Sequence, residues 1–254
     1  MAHRKSSLAL SEAIGALQQE ITDCQLCPRL VRWRERVARE KVRRFQEEEY
    51  WGRPVPSFGD PSAELLIVGL APAAHGGNRT GRVFTGDRSG EWLFRALYQA
   101  GFANQPTSIH RNDGLTLSRC YITAAIHCAP PANKPLPIEI KRCRPYLLRE
   151  LALLQKVSVI VALGRVAFDV TLAACVKSGR VPSGGRRRFS HGAEYRLNED
   201  LMLLASFHPS QQNTFTGKLT PAMFQRIFDR ARQLVETGKN PSRRKVVSKI
   251  DGLA

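Results

Sequence analysis

Four short apolar runs along the chain are nearly continuous in Val, Ile, Leu and Ala and lack the polar alternation of a half-exposed strand. They cover Glu64 to Leu70, Cys120 to His127, Val157 to Leu163 and Leu201 to Phe207. Runs of this kind are typical of strands that are buried on both faces of a parallel sheet. The pattern therefore predicts four central strands.

A segment with helical spacing follows each of these runs, and one more precedes them. We predict helices over Gly90 to Ala100, Pro145 to Gln155, Arg165 to Lys177 and Leu219 to Glu236, and an N-terminal helix near Leu8 to Thr22. This order predicts the α/β class, as a three-layer αβα sandwich with a central, mainly parallel four-stranded sheet. Ligands of such sheets bind beyond the carboxyl ends of the strands, so we expect the functional residues in the loops that follow them.

The composition is that of one globular domain, which we assign to residues 1–237, followed by a basic disordered tail over residues 238–254. The longest apolar stretch, Leu65 to Ala74, has ten residues, whereas a membrane span needs roughly 20. Near the N-terminus, Glu12 interrupts the segment from Leu8 to Leu17, which is typical of an amphipathic helix and not of a signal peptide. We therefore expect a cytoplasmic protein without a membrane partner.

The net charge is strongly positive, with 39 Lys and Arg against 22 Asp and Glu, or +17. Such an excess indicates a polyanionic partner, either nucleic acid or an anionic membrane surface. Outside the tail, the basic residues concentrate after the first cysteines and in one Gly-flanked loop: Arg29, Arg32, Arg34, Arg36, Arg39, Lys41, Arg43, Arg44, and Arg186, Arg187 and Arg188. A merely solvated basic surface is the alternative, but the charge favours nucleic acid.

The loop after the first predicted strand, Ala71 to Ser89, has 19 residues and is dense in glycine. Loops of this length inside a compact domain are usually functional. The sequence of this loop nearly matches the phosphate-binding motif of nucleotide hydrolases, but Arg82 and Val83 stand where that motif needs Lys and Ser or Thr. We therefore exclude nucleotide hydrolysis.

Two pairs of cysteines have spacing that is typical of metal ligands. They are Cys24 with Cys27, and Cys128 with Cys143. In a reducing cytosol such pairs more often bind metal than form disulfides. Spacing alone leaves zinc, an iron–sulfur cluster and metal-free thiols open. The other two cysteines, Cys120 and Cys175, lie among apolar residues and are predicted to be small buried hydrophobes.

Three loop motifs complete the pattern: the long segment from Gly69 to Asp87, then Ala129 to Asn133, and finally His208 to Ser210. Together with the cysteines, they resemble the uracil-DNA glycosylase superfamily, and specifically its family 5, from Cys24 to about Leu234. The sister family 4 typically has a catalytic Glu where this chain has Leu70, and an Asn where it has Ala124. Both differences favour family 5.

The resemblance implies a [4Fe-4S] cluster as cofactor, held by Cys24, Cys27, Cys128 and Cys143. It also implies that the cluster lies away from the base pocket and has a structural role, pinning the N-terminal segment to the loop after the second strand.

The implied function is that of a monofunctional DNA glycosylase. Such an enzyme flips uracil, and other deaminated bases such as hypoxanthine, out of double-stranded DNA and hydrolyses the N-glycosidic bond, leaving an abasic site. No lysine stands in the matched pocket motifs, so we expect no lyase activity. We expect a monomer acting on nucleoid DNA. The alternative is a non-catalytic nucleic-acid-binding metalloprotein with a four-cysteine zinc site.

Four residues are the candidates for the chemistry of base release. Phe84 would stack on the flipped base, His208 would donate a hydrogen bond to the base carbonyl as charge accumulates there, and Asn133 would hydrogen-bond the base edge. A core Phe, a structural His and a turn Asn are the corresponding structural alternatives. Asp87 would orient the attacking water or offset the sugar cation, unless it only caps the following helix.

Further residues are candidates for contacts with the base or with DNA. The small side chain of Ala73 leaves room for a larger ring, and His75 would contact the base or a phosphate. By the resemblance, the segment of Ser210, Gln211, Gln212 and Asn213 would enter the duplex, and Arg79 would bind DNA.

Overall fold

The computed structural model describes residues 2–182, 184–185 and 187–238, and in that part of the chain eight α-helices and six strands are present. The helices are α1 (Ala2–Asp23), α2 (Pro28–Glu40), α3 (Gly77–Thr80), α4 (Arg88–Gln99), α5 (Pro137–Leu153), α6 (Arg165–Lys177), α7 (Gln211–Phe215) and α8 (Pro221–Thr237). The strands are β1 (Phe58–Gly59), β2 (Leu65–Gly69), β3 (Cys120–Ala124), β4 (Val159–Leu163), β5 (Glu194–Arg196) and β6 (Met202–Ser206). Arg186 and the tail from residue 239 onward lie outside the described residues.

The four predicted strands are confirmed as β2, β3, β4 and β6, and they pair in parallel at the centre of the sheet. The expected strand number was wrong, because the sheet has six strands in the order β1-β3-β2-β4-β6-β5. The two additional strands are antiparallel edges of two and three residues. Strands so short carry no readable period in the sequence.

Helices cover both faces of this sheet, so the three-layer sandwich is confirmed. Alternate positions of β2 point to opposite faces. Leu65 and Ile67 pack with α4 and α8, and Leu66 and Val68 pack with α1, α5 and α6. The described residues include no helix that is long and apolar enough to cross a membrane.

The five predicted helices are present, but the start of α5 was wrong, and α2 and the short helices α3 and α7 were missed. α5 begins at Pro137, and Pro145, taken as its start, lies inside it. A proline inside a helix leaves the carbonyl four residues earlier without its helical hydrogen bond, which is why it was read as a boundary. α2 was missed because its buried face consists of Leu30, Arg34 and Val37, and the arginine interrupts the apolar pattern.

Candidate functional site

The candidate base pocket lies at the carboxyl ends of the central strands. Within the sheet, β3 lies beside β2 on one edge, and β4, the next strand along the chain, lies beside β2 on its other edge. Open α/β sheets bind ligands where the strand order reverses in this way. The loop after β2 carries Phe84, and the loop after β6 carries His208. These two predicted residues meet there, with ring centroids 6.0 Å apart and an interplanar angle of 29°.

Two glycines hold Phe84 in place. A Cβ on Gly69, the last residue of β2, would lie 2.8 Å from Cε2 and Cζ of the Phe84 ring, and a Cβ on Gly90 would lie 1.8 Å from the Phe84 carbonyl oxygen. Phe84 itself has φ +51°, a conformation that costs a bulky residue free energy and is concentrated at functional sites. The ring is thus fixed across the end of β2 by backbone that tolerates no side chain.

His208 is a neutral imidazole at physiological pH. Burial lowers its pKa to about 4, so one ring nitrogen keeps a proton to donate and the other keeps a lone pair. Its carbonyl oxygen accepts a hydrogen bond from Asn213 Nδ2 at 2.8 Å. Asn213, which we predicted to contact DNA, therefore also braces the catalytic candidate.

The two carboxylate oxygens of Asp87 have different neighbours. Oδ1 accepts from the Gly90 N–H at 2.9 Å, so Asp87 is the N-cap of α4. Oδ2 lies against Gly76, where a Cβ would come within 2.2 Å of it. Burial raises the pKa of Asp87, and hydrogen bonds from the backbone of Gly90 and Ser89 oppose that rise. The capping role foreseen for Asp87 is confirmed, its catalytic role stays a prediction, and the second oxygen is directed at the Gly-rich loop.

His75 and Arg79 hold the Gly-rich loop after β2 through hydrogen bonds to its own backbone and to Tyr50. His75 Nδ1 hydrogen-bonds the Tyr50 hydroxyl at 3.1 Å, and burial, with the nearby Arg79 charge, lowers the pKa of His75. Arg79 is buried: its guanidinium donates to the carbonyls of His75 and Gly86 at 2.8 and 3.0 Å and pairs with Glu48. Its role in DNA binding stays a prediction. As placed, Arg79 braces the loop from within.

The other predicted contacts are less buried. Asn133 is exposed, with φ +55°, in a short 3₁₀ helix over Pro131–Asn133. Ser210 precedes α7, and Gln211 and Gln212 lie exposed on it. The Ala73 carbonyl accepts from the backbone N–H groups of Gly76 and Asn78 at 3.2 and 3.0 Å, which closes the turn below His75.

Sequence reasoning missed Phe215, at the end of α7. Its side chain is 66% exposed, and the Arg88 guanidinium lies 4.3 Å from its ring centroid. A phenylalanine within a polar stretch that closely follows His208 was the available signal. An exposed aromatic side chain beside the pocket is a candidate for contact with DNA bases.

The four cysteines of the predicted metal site line one cavity between α1, α2, the loop after β3 and α5. Cys120 and Cys175 lie elsewhere, fully buried, as predicted. Among the described residues, no three His, Cys, Asp or Glu side chains are close enough together to hold a single metal ion. Burial raises the pKa of Cys143, and the other three cysteines are near enough for their charges to raise it further.

The walls of this cavity fit an anionic group held by thiolates. Burial raises the pKa of Cys128 to about 11 and that of Cys27 above its usual value, whereas Arg34 and Arg142 respectively oppose these rises. Metal coordination is the means by which buried thiols of this kind ionise. His127 Nε2 is buried in the wall with no hydrogen-bond partner within the described chain.

The predicted basic surface around α2 needs one correction. Arg34 is 1% exposed and points into the protein, so the expectation that it faces a partner was wrong. Arg29 pairs with Glu139 at 2.8 Å and is partly exposed. The remaining arginines of this group are exposed: Arg32, Arg36, Arg39, Arg43 and Arg44.

Comparison with known proteins places this geometry in context. The family model described as the uracil DNA glycosylase superfamily matches residues 56–232. The chain is 49% identical over 223 residues to the type-5 uracil-DNA glycosylase of Mycobacterium bovis, which covers 87% of this chain and 82% of that protein. It is 50% identical over 220 residues to the type-5 uracil-DNA glycosylase of Thermus thermophilus, covering 86% of this chain and 97% of the other.

A more distant similarity covers less of the chain. The type-4 uracil-DNA glycosylase of Archaeoglobus fulgidus is 35% identical over 114 residues, 44% of this chain and 49% of that protein.

Proposed function

The chain belongs to the uracil-DNA glycosylase superfamily, and on that premise we propose that it flips uracil out of double-stranded DNA and hydrolyses the N-glycosidic bond as a monofunctional enzyme. The product is an abasic site. Its class is that of a hydrolase acting on N-glycosyl bonds. The observation that carries the mechanism is the pairing of an immobilised Phe84 ring with a neutral, partly buried His208 at the point where the strand order reverses.

Base release requires that negative charge on the departing pyrimidine be stabilised. Phe84 provides the surface on which the flipped base stacks, a contact that contributes about 1–3 kcal/mol per base. At a centroid separation of 6.0 Å, His208 is within reach of the same base. Its neutral imidazole donates to the base carbonyl as charge accumulates on the oxygen.

The sugar needs a negative group and a water molecule on its other side. Asp87 is the carboxylate nearest to Phe84 in the chain, and Oδ1 is engaged by the Gly90 N–H. We assign Oδ2 to the water or to the developing sugar cation. The cap then orients the carboxylate, because it fixes the rotamer that directs Oδ2 toward Gly76.

We further propose that Cys24, Cys27, Cys128 and Cys143 hold a [4Fe-4S] cluster. When bound, the cluster supplies a covalent cross-link among the N-terminal segment, the loop after β3 and α5. The four thiols share one cavity, so a single group with four thiolate ligands can join these segments. Anaerobically purified protein should be brown and contain iron and labile sulfide. One zinc ion per chain and no labile sulfide would refute the proposed cluster.

The pocket should accept more than uracil. Ala124 pairs in register with Gly69, the residue on which the Phe84 ring lies. Its methyl group offers no hydrogen bond to the base. A site that does not hydrogen-bond the polar groups of the base discriminates weakly between different bases. Hypoxanthine and other deaminated bases are therefore expected substrates.

For the DNA, we propose that α7 and the segment before it enter the duplex where the base leaves. Phe215 is the exposed apolar side chain of this segment, and Ser210, Gln211, Gln212 and Asn213 precede it. Because one copy of the protein suffices for one lesion, we expect a monomer. We expect it to act on nucleoid DNA in the cytoplasm.

The deciding experiment is incubation of purified holoprotein with a duplex that contains one uracil, followed by alkaline cleavage of abasic sites. We expect strand cleavage only after alkali, and none in a matched thymine duplex. Tight DNA binding without base release would instead support the non-catalytic metalloprotein. In a panel of lesions, release of hypoxanthine is expected, and Ala124→Asn should narrow the range toward uracil. Strict rejection of every base but uracil by the unaltered protein would refute the broader specificity.

A further inference from the structure

Arg34 is the most buried charged side chain of α2, with 1% exposure, and its guanidinium reaches the cysteine cavity. Nη1 donates to Cys128 Sγ at 3.1 Å and to the Cys24 carbonyl at 3.4 Å. The nearest carboxylate belongs to Glu35, 3.8 Å away and 46% exposed. A buried cation is costly unless an anion compensates it. Nη2 donates to Gln25 Oε1 at 3.0 Å, so the position of Arg34 places a buried positive charge directly beside Cys128, one of the four proposed ligands.

The same residue also contacts the segment that builds the base pocket. Arg34 Nε donates to the Gly52 carbonyl at 3.2 Å, and the Arg34 carbonyl accepts from Asn78 Nδ2 at 3.2 Å. The Gly52 N–H in turn donates to the Asn78 carbonyl at 3.0 Å. Arg34, Gly52 and Asn78 therefore form a closed ring of hydrogen bonds between the cysteine cavity and α3.

Asn78 belongs to the Gly-rich loop, so its position affects the backbone of the candidate pocket. Its side chain is fully buried, and its N–H donates to the Ala73 carbonyl at 3.0 Å. Gly76, two residues earlier, is the residue against which Asp87 Oδ2 lies. A displacement of Asn78 would therefore move the backbone that faces the candidate catalytic carboxylate.

We propose that Arg34 is a positioning residue that couples the state of the four-cysteine site to the geometry of the base pocket. The hydrogen bond to Cys128 Sγ holds the guanidinium in place, and the guanidinium and backbone of Arg34 hold Gly52 and Asn78. This inference rests on the proposed cluster. Because a coupling between two sites is reciprocal, an occupied pocket must also retain the cluster more firmly.

The test measures cluster loss and not turnover. Anaerobic holoprotein is challenged with an iron chelator while the visible absorbance of the cluster is followed. The protein is saturated either with a duplex containing 2′-fluoro-deoxyuridine, whose glycosidic bond resists cleavage, or with a matched duplex without a lesion. In the unaltered protein, the lesion duplex should slow cluster loss at least about fivefold relative to the matched duplex, at the lower end of typical coupling.

Three variants locate the coupling. Arg34→Met should lose its cluster faster and at the same rate with either duplex. Asn78→Ala keeps the guanidinium on Cys128, so without DNA its cluster should persist as in the unaltered protein, but the protection by the lesion duplex should disappear. Arg230→Gln, which removes an exposed ion pair with Glu194 far from both sites, should behave like the unaltered protein.

The outcomes separate this inference from the proposed cluster. Unaltered protein without iron and sulfide would overturn both. A loaded protein that shows no lesion-specific protection, or protection that persists in Asn78→Ala, would overturn the coupling while leaving the cluster standing. If Arg34→Met fails to load iron, the Asn78→Ala comparison alone decides.

Discussion

At the residue scale, Asp87 has two roles that a single substitution can separate. Asparagine caps helices about as well as aspartate, so Asp87→Asn should keep the Gly90 hydrogen bond and the stability of α4. The loss of charge should lower the single-turnover rate of uracil release. Burial raises the pKa of Asp87. As the pH is lowered, the rate of the unaltered protein should therefore begin to fall at a higher pH than the usual pKa of an aspartate. That acid limb should be absent in Asp87→Asn. A variant with the full rate would reduce Asp87 to a helix cap.

His208 is also decided at this scale. His208→Ala removes one donor to the departing base, for which losses of roughly 10²–10³ in rate are typical. Since its pKa is about 4, the imidazole stays neutral from pH 5 to 8, and its contribution should be constant over that range. His208→Gln restores an N–H donor and should recover part of the rate. Single-turnover kinetics with Phe84→Ala provide the contrast, because loss of the stacking surface should chiefly impair productive base binding.

At the scale of elements, α5 presents a buried carboxyl to β3. Glu150 accepts hydrogen bonds from the hydroxyls of Thr123 at 2.6 Å and Tyr121 at 3.5 Å, and from Ser57. Within the described chain no Lys or Arg pairs with Glu150, and burial raises its pKa to about 7 although these hydroxyl hydrogen bonds oppose the rise. The packing of α5 on the sheet therefore favours the protonated acid.

This burial predicts a pH dependence of stability. Between pH 4.5 and 7 the folded protein holds a proton on Glu150 that the unfolded chain has released, so this residue's contribution to stability is full below that window and declines as pH rises through it. Glu150→Gln cannot ionise. Relative to the unaltered protein, its free energy of unfolding should improve by about 2–3 kcal/mol from pH 5 to pH 8. Urea titrations of anaerobic holoprotein measure this difference.

A matched control for the Glu150 measurement is Glu12→Gln, an exposed glutamate on α1. Its unfolding free energy should change little relative to the unaltered protein at either pH. An equal response of both variants would show that Glu150 is ionised at neutral pH without cost.

At the scale of the whole molecule, the excess positive charge should govern DNA affinity. α2 carries exposed arginines, and it packs beside α3 of the Gly-rich loop through the hydrogen bond from Asn78 Nδ2 to the Arg34 carbonyl. Neutralised phosphates release counterions, and the logarithm of the binding constant should fall linearly with the logarithm of salt concentration. Replacing Arg32, Arg36 and Arg39 with Gln should reduce that slope without changing the single-turnover rate at saturation.

Deletion of Lys239 to Ala254 tests how much of this affinity the tail provides. We expect a modest loss of affinity and an unchanged chemical step. A dissociation constant that does not respond to salt would contradict the role assigned to charge.

The sequence by itself determined the central sheet, most of the helices and the loops that carry the site. Buried parallel strands are written as continuous apolar runs, and the glycines around Phe84 and Asp87 mark backbone that side chains would block. These signals are local, so β2, β3, β4 and β6 were found close to their true limits. The same locality explains why β1 and β5, with two and three residues, were not.

Only the tertiary structure decided which way a polar side chain points and which groups it contacts. In the sequence, Arg34 is one arginine in a basic run, but only the packing of α2 on Cys128, Gly52 and Asn78 turns it inward. Asp87 shows the same division, since the cap was foreseen but the approach of its other oxygen to Gly76 was not. Burial and partners depend on residues far apart in the chain, and no local pattern of polarity encodes them.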